Sequence, residues 1–295
     1  MSAGPVTPSP NPLVRFWHLN RMGRIEGAPM AGLLVLFGAV LGDGTLDWRV
    51  FLGAFAMAAV AMNYVYLVNG VTDVDEDRVN SPSRPLVRGD VTLREANIYV
   101  KVLLALGVLY PFFLHPTWSQ RAIVWIILAM GVFYSLPPVR FKRYPPAATI
   151  YLVINFNLPI VLGHQLSGAT GDWPPYLFAT LALFFANMPL KDIGDATGDA
   201  EVGIANWSNW LGQRGLMGMA AGLSIAGFVA SCFVLADLGP MRWAYSALVL
   251  LPALNVGVHL LLGMDRKELF TRGVRGLIVL CSVIVILGIA LPDLF

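Results

Sequence analysis

The chain has 295 residues, of which 57% are hydrophobic and only 13% are charged, and its formal net charge is +2. Because soluble domains usually carry about 25% charged residues, this chain cannot bury its apolar side chains in one aqueous core. The composition therefore predicts an integral membrane protein in contact with the lipid bilayer, and the small net charge argues against a nucleic-acid partner. Cys232 and Cys281 lie inside apolar runs and are interpreted as packed side chains, with no disulfide and no metal site.

Nine apolar stretches approach the length of about 20 residues that a membrane-spanning helix needs. They cover residues 27–43, 50–68, 96–114, 121–138, 148–166, 174–190, 215–236, 242–263 and 273–292. Residues 1–20 are Pro-rich and lack the apolar core of a signal peptide, so we expect an N-terminal tail there. The sequence thus predicts an all-α fold with nine transmembrane helices in a single domain that comprises residues 1–295.

The basic residues predict the orientation of these helices. With nine spans, 17 of the 20 Lys and Arg residues fall on the side that holds the N-terminus, and only Arg49, Arg121 and Arg242 fall on the other. Positive charge is retained on the cytoplasmic side of a cell membrane. We therefore expect a cytoplasmic N-terminus, including residues 1–20, and a C-terminus outside.

Acidic residues are concentrated in two short segments, each at the end of an even-numbered span. Eight of the 18 Asp and Glu residues lie there, namely Asp73, Asp75, Glu76, Asp77, Asp192, Asp195, Asp199 and Glu201. The predicted orientation makes both segments cytoplasmic, and their separation by four spans suggests a weak internal repeat.

The spacing of these acids indicates a cation site. Residues three or four apart share one face of a helix, and that spacing relates Asn69, Asp73 and Asp77, and also Asp192, Asp195 and Asp199. Each column of carboxylates repels itself unless a cation lies within it. Mg²⁺ prefers oxygen ligands and commonly binds through a few carboxylates and phosphate oxygens, so two facing columns could clamp one diphosphate. A solvated charged loop and a Ca²⁺ or transport site are the alternatives.

Three motifs resemble those of the UbiA superfamily of membrane prenyltransferases. Asn69-x3-Asp73-x3-Asp77, followed by Arg84-Pro85-Leu86 and Gly89, is similar to the first Asp-rich motif of that superfamily. "KDIGDATGDAEVGI", residues 191–204, resembles the second motif, and "YSLPPVRFKR", residues 134–143, resembles the loop after the fourth span. The resemblance covers nearly the whole chain.

The resemblance implies nine helices around a central cavity and a Mg²⁺-dependent prenyltransferase. Such an enzyme transfers a prenyl group from an isoprenyl diphosphate to a hydrophobic acceptor that is often aromatic. A terpene cyclase of the same superfamily, which would ionise the donor without an acceptor, is the alternative. That subgroup tends to lose the middle Asp of the first motif, and Asp73 is present here. A non-enzymatic carrier or cation transporter is a third hypothesis.

The resemblance also implies roles for individual residues. The catalytic residues would be Asp73, Asp77, Asp195 and Asp199, and the metal ligands would be Asn69, Asp73, Asp77, Asp192, Asp195 and Asp199. The diphosphate would bind Asn69, Arg84, Arg140, Lys142 and Lys191, although each basic residue could instead be an ordinary interfacial charge. The substrate cavity would include Arg24 and Tyr134, with Glu26 towards the acceptor. Asp75 and Glu76 lie off the column and are expected to face solvent.

Two segments depart from the family pattern. Many members have Asn-Asp at the start of the first motif, whereas this chain has Asn69-Gly70. The segment "GIANWSNWLGQRG", residues 203–215, also differs from the usual continuation of the second motif. We expect this segment to pack over the site, where Trp207 and Trp210 could contact an aromatic acceptor or a cation. Ordinary interfacial indoles are the alternative.

Overall fold

The computed structural model of the protein describes residues 11–24, 27–41, 44–169, 174–201, 203–236, 241–263, 265 and 268–290. Throughout these ranges the regular secondary structure is helical, in agreement with the all-α prediction. Glu26 lies outside the described residues.

Sixteen α-helices follow one another along the described chain. They are α1 (Pro12–Met22), α2 (Ala28–Ala39), α3 (Trp48–Ala56), α4 (Asn63–Thr72), α5 (Val74–Asn80), α6 (Pro85–Arg88), α7 (Leu93–Leu109), α8 (Pro111–Leu114), α9 (Trp118–Ser135), α10 (Pro145–Ser167), α11 (Pro174–Asn187), α12 (Asp192–Glu201), α13 (Trp207–Val234), α14 (Met241–Val249), α15 (Leu251–Leu262) and α16 (Leu269–Ala290). A π-helical segment, Met57–Met62, joins α3 to α4, and the 3₁₀ segments Phe141–Arg143 and Met188–Lys191 precede α10 and α12.

Six helical segments of the described chain are long and apolar enough to cross a membrane. They are Trp48–Thr72, Leu93–Leu114, Pro145–Ser167, Tyr176–Thr197, Trp207–Val234 and Leu269–Leu287. α2 and α15 are apolar but have only 12 residues each, fewer than a straight span requires. Each of the nine predicted spans overlaps helical chain, so a multi-pass membrane protein is confirmed while the count of nine stays a prediction.

The predicted N-terminal tail, residues 1–20, includes the start of a helix among its described residues. α1 begins at Pro12, and the cytoplasmic location of the tail stays a prediction. The Asn11 side chain caps this helix by accepting a hydrogen bond from the Leu13 backbone N–H at 2.9 Å. The first N–H groups of a helix have no partner within the helix, so proline at the first position loses no hydrogen bond. The dipeptide Asn11-Pro12 therefore favours a helix start.

α2 and α10 cross at a distance that only glycine permits. A Cβ atom on Gly38 would lie 1.9 Å from the Ile160 carbonyl oxygen, and one on Gly163 would lie 1.8 Å from the Val35 carbonyl oxygen. Glycine allows two apolar helices to approach backbone to backbone, which strengthens their van der Waals contact. The crossing fixes α10, which carries part of the cavity described below, against the centre of the protein.

α2 is the shared wall of two apolar clusters. Val35 belongs to a cluster built from α3, α4, α7 and α9. Leu34 belongs to a second cluster, built from α10, α11, α14 and α16. α2 has apolar residues all round, which is the pattern of a helix buried on every side.

The glycine crossing gives a stability prediction. We expect Gly163→Ala to lower the melting temperature in detergent, because the added methyl group would overlap the Val35 carbonyl, and overpacking costs about 1–3 kcal/mol. Gly222→Ala in α13 is the matched control, since nothing lies within 4 Å of a Cβ at that position. Equal melting temperatures for the two variants would contradict the proposed role of the crossing.

Candidate active site

A cavity of about 280 Å³ lies between α4, α5, α9, α10, α12 and α16. Ten of the residues predicted from the sequence line it: Arg24, Asn69, Asp73, Asp77, Arg84, Tyr134, Lys142, Lys191, Asp195 and Asp199. The lining includes charged side chains, which we call the charged wall, and aromatic and apolar side chains. The two Asp-rich segments, more than a hundred residues apart in the chain, therefore meet at one cavity.

The first Asp-rich segment keeps its column across a break in the helix. Asp73 separates α4 from α5, with φ −103° and ψ 20°. The helical hydrogen-bond pattern nevertheless continues, because the Asp73 N–H donates to the Asn69 carbonyl at 3.0 Å and the Asp77 N–H donates to the Asp73 carbonyl at 2.8 Å. All three side chains consequently line the same cavity.

The second Asp-rich segment forms α12, which packs against α5. Asp195 and Asp199 are one helical turn apart and both line the cavity. The Asn80 side chain donates a hydrogen bond to the Asp195 backbone carbonyl at 3.2 Å, which ties the two segments together. Asn206, the residue before α13, donates to the Asp199 carboxylate at 3.0 Å.

Glu76 corrects the sequence prediction. It was expected to face solvent, but it is buried and lines the cavity. Its carboxylate accepts hydrogen bonds from Arg140 Nη2 at 2.8 Å and from Lys142 Nζ at 3.0 Å. Lys142 also forms an ion pair with Asp73. Glu76 follows Asp73 by three residues, so the spacing rule that grouped the aspartates also predicts its position.

Arg140 adopts an unusual backbone conformation beside this network. Its φ of 42° and ψ of 61° lie in the left-handed region, which costs a residue with a side chain about 1–2 kcal/mol. Arg140 does not line the cavity, and its guanidinium donates a hydrogen bond to Glu76, which does. Local strain of this kind tends to be kept at functional sites.

Arg84 neutralises Asp77, which is the deepest carboxylate of α5. The two side chains form an ion pair, and both lie in the cavity wall. Burial raises the pKa of Asp77 to about 6, and the positive charge of Arg84 opposes that rise. Burial likewise raises the pKa of Asp199 to about 6, against the hydrogen bond from Asn206. Both carboxylates therefore hold a proton more readily than an exposed Asp, and a bound cation would favour its release.

Asp192 differs from the other predicted metal ligands. It is buried, but it does not line the cavity. One of its oxygens accepts a hydrogen bond from the Trp207 backbone N–H at 2.9 Å, and the other lies 3.1 Å from Lys191 Nζ. Asp192 thus anchors the start of α13 and positions Lys191, whose ammonium also lies 3.7 Å from Asp195.

Neither indole of residues 203–215 lines the cavity, although Ile204 from the same segment does. The Trp207 indole N–H donates to Thr149 Oγ1 at 2.8 Å, while Trp210 is 56% exposed. The segment thus packs at the edge of the site, and the structure favours the alternative in which the two indoles do not contact the ligand.

Aromatic side chains form another part of the cavity lining, the aromatic wall, which comprises Tyr66, Tyr134 and Tyr151. The Tyr134 ring stacks on Tyr151, with centroids 4.5 Å apart and planes at 26°. The Arg24 guanidinium lies 5.4 Å from the centroid of the Tyr66 ring, and Arg24 also has a left-handed backbone, with φ 51°. Tyr66, Tyr151 and Asn155 were not singled out from the sequence. The available signal for Asn155 was a polar residue inside the apolar run 148–166.

Comparison with known proteins identifies the family. The chain matches the model of the UbiA prenyltransferase family over residues 31–275. The chain belongs to this family. Among curated relatives it is 30% identical to the probable homogentisate phytyltransferase 2 of Oryza sativa subsp. japonica over 265 residues, which cover 82% of this chain and 67% of the relative. It is 26% identical to the 2-acylphloroglucinol 4-prenyltransferase of Humulus lupulus over 194 residues, covering 63% of this chain and 47% of the relative.

The chain thus spans between about half and two thirds of the length of these relatives. Among solved structures, a UbiA homolog from Archaeoglobus fulgidus bound to GPP and Mg²⁺ superposes with a TM-score of 0.75 at 20% identity, covering 94% of this chain and 98% of that one. The apo UbiA homolog from Aeropyrum pernix K1 gives 0.72 at 22% identity, covering 90% and 99%. Family membership and the names of the relatives bear out the predicted enzyme class, a prenyltransferase.

The buried network gives a prediction for Glu76. We expect Glu76→Gln to lower the free energy of unfolding by about 1–3 kcal/mol, because Arg140 and Lys142 would lose a buried counter-charge. Asp75→Asn is the matched control, since the Asp75 side chain is 77% exposed and its pair with Arg78 is a surface pair. Thermal melting in detergent measures both, and a control that melts as early as Glu76→Gln would refute the buried role.

Proposed function

We propose that this UbiA-family protein transfers a prenyl group from an isoprenyl diphosphate to an aromatic acceptor within the membrane, with Mg²⁺ as cofactor. The observation that carries the proposal is the convergence of two Asp-rich segments on one cavity that Tyr66, Tyr134 and Tyr151 also line. The charged wall suits a diphosphate with its metal ions, and the aromatic wall suits the allylic carbon and the acceptor ring.

The basic residues of the cavity would bind the diphosphate. Lys142, Arg84 and Lys191 line the cavity, and each forms an ion pair with a carboxylate there. The Lys142 side chain is only 9% exposed, so its charge is largely removed from water. An incoming diphosphate would exchange these partners, because its oxygens can accept hydrogen bonds from the same donors.

The carboxylates released by that exchange fit Mg²⁺. Asp73, Asp77, Asp195 and Asp199 offer oxygen atoms alone, which is the donor type that Mg²⁺ prefers. In the described residues no three acidic, histidine or cysteine side chains are gathered closely enough to hold an ion by themselves. This fits a metal that shares its coordination with substrate phosphate oxygens. Bound Mg²⁺ would supply positive charge to the diphosphate leaving group.

The reaction breaks one bond and forms another. The allylic C–O bond breaks, and the diphosphate leaves with the electron pair. Lys142, Arg84 and Lys191 stabilise the growing negative charge, while the rings of Tyr66, Tyr134 and Tyr151 face the positive allylic carbon. A ring carbon of the acceptor then bonds to that carbon, and the ring loses a proton.

The names of the relatives support an aromatic acceptor. The curated proteins similar to this chain include enzymes named for homogentisate, 2-acylphloroglucinol and coumarin, which are oxygenated aromatic compounds. They also include a digeranylgeranylglyceryl phosphate synthase, whose name indicates a glycerol phosphate lipid. The aromatic wall of the cavity favours the first class.

The orientation belongs to the same proposal. We place both Asp-rich segments, the N-terminus and the single domain's N-terminal residues on the cytoplasmic side of the cell membrane, with nine spans and the C-terminus outside. The distribution of Lys and Arg supports this orientation. In a variant without Cys232 and Cys281, a cysteine placed by Asp75→Cys should react with a membrane-impermeant thiol reagent only in inside-out vesicles. Labelling from the outside would reject the orientation.

The first experiment is product analysis by mass spectrometry. Purified protein would be incubated with Mg²⁺, geranylgeranyl diphosphate and a panel of phenolic and quinone-precursor acids. We expect an acceptor whose mass is raised by one prenyl group, and no such product after chelation of the metal. A hydrocarbon or terpene alcohol formed without acceptor would instead support the cyclase hypothesis.

The two Asp-rich segments give a mutational prediction. We expect Asp73→Ala and Asp195→Ala each to lower turnover at least about 100-fold, since charge stabilisation at the leaving group usually contributes that much or more. Asp75→Ala, at the exposed neighbour, should retain activity. Near-normal turnover of both cavity variants would rule out the two-segment mechanism, and melting curves of the same samples verify that each variant is folded.

A further inference from the structure

Two polar side chains in the wall of the cavity each have an oxygen atom without a hydrogen-bond partner. Asn155 is 1% exposed and Tyr151 is 4% exposed, and both line the cavity. The Asn155 Oδ1 atom and the Tyr151 hydroxyl form no hydrogen bond. The Asn155 amide nitrogen contacts only the Met62 sulfur, at 3.8 Å. Because an unpaired buried polar atom costs free energy, these two groups are suited to a ligand that supplies the missing partners.

Both residues lie on α10. Tyr151 and Asn155 are four residues apart, so they share one face of the helix. Lys142 lies three residues before Pro145, where α10 begins. At 1.5 Å per residue, Asn155 lies about 15 Å along the helix from that start. Neither unpaired atom forms a hydrogen bond with the ionic network that would bind the diphosphate.

Their surroundings suit a flat ring. Tyr151 stacks on Tyr134, and Leu152 and Phe156 line the cavity beside them. An aromatic ligand can lie against such a wall by offset stacking, with its polar edge towards the two unpaired groups.

Neither part of the prenyl donor can pair with both unpaired oxygen atoms. A prenyl tail has no polar atoms and would leave both groups unpaired. A diphosphate presents acceptor oxygens, which cannot pair with the Asn155 Oδ1 atom because that atom is itself an acceptor. A phenolic hydroxyl can donate to Asn155 Oδ1, and a second oxygen can accept from the Tyr151 hydroxyl.

We infer that Tyr151 and Asn155 form the acceptor subsite and select aromatic compounds that carry a free phenolic hydroxyl and a second oxygen. This inference rests on the proposed function and names the acceptor class for the same cavity. A site built to hydrogen-bond a hydroxyl strongly rejects the analogue that lacks it, so the subsite makes the hydroxyl a requirement for binding.

Direct binding tests the subsite without catalysis. Isothermal titration calorimetry of the full chain in detergent would use a panel of mono- and dihydroxylated aromatic acids, each with its methyl ether. We expect at least one hydroxylated acid to bind about tenfold or more tightly than its ether. If no acid in the panel binds more tightly than its ether, the inference is overturned, because water then satisfies the two groups.

The variants Asn155→Leu and Tyr151→Phe identify which protein group forms a hydrogen bond with the phenolic hydroxyl of the ligand. We expect each variant to weaken binding of the hydroxylated acid, and Asn155→Leu to bring the acid and its ether within about twofold of each other. Melting temperatures should be unchanged or raised, since each substitution removes an unpaired polar atom. Tyr245→Phe is the matched control, because Tyr245 also has a buried, unpaired hydroxyl but lies outside the cavity.

Kinetics separate this inference from the proposed function. In the transfer assay, Asn155→Leu should raise the KM for the acceptor about 10- to 100-fold while the KM for the diphosphate donor stays within twofold. A larger change in the donor KM than in the acceptor KM would overturn the subsite and leave the proposed function intact. Selective binding of a hydroxylated acid without any prenyl transfer would instead reject the proposed function and retain the subsite.

Discussion

The buried contact of Lys142 with Asp73 and Glu76 is the interaction on which the site depends. Lys142 lies just before α10, whereas Asp73 lies at the break between α4 and α5 and Glu76 lies in α5, so one ammonium group joins two distant segments of chain. All three side chains are about nine-tenths buried. Removing one member of such a group leaves an uncompensated charge in a medium of low polarity. The cavity can therefore hold this density of carboxylates only because cations occupy the same wall.

The packing of α10 sets the distance along the cavity between Lys142 and the pair Tyr151 and Asn155. The crossing at Gly38 and Gly163 fixes this helix against α2. Its first turn follows Lys142, and its middle carries Tyr151 and Asn155. A rigid helix thus links the charged wall to the aromatic wall, and the spacing between them follows from the helical rise rather than from the conformation of a loop. Sites placed on rigid elements keep their geometry better than sites on loops.

Hydropathy predicted the helices, and spacing predicted Asn69 and the aspartates of the cavity lining, because both features repeat locally along the chain. The basic residues and Tyr134 followed from the family resemblance. Glu76 was predictable from its three-residue spacing to Asp73, and was missed because it was grouped with Asp75 as lying off the column. Asp192 could not have been placed this way, since its direction is set by the Trp207 backbone N–H fifteen residues later. The direction of the Trp207 indole likewise depends on Thr149, in another helix. Contacts between segments, rather than periodicity within one, decide these cases.

The π-helical segment Met57–Met62 has a consequence for the whole first Asp-rich segment. A π turn accommodates an extra residue in a helix. Each residue of an α-helix turns the chain by about 100°, so the extra residue sets the angle at which everything after it faces the cavity. Loss of one residue between α3 and α4 would leave the motif itself intact and change composition and hydropathy very little. It would nevertheless rotate Asn69 and Asp73 away from the cavity. The position of the first Asp-rich segment therefore depends on the number of residues in a stretch with no charged group.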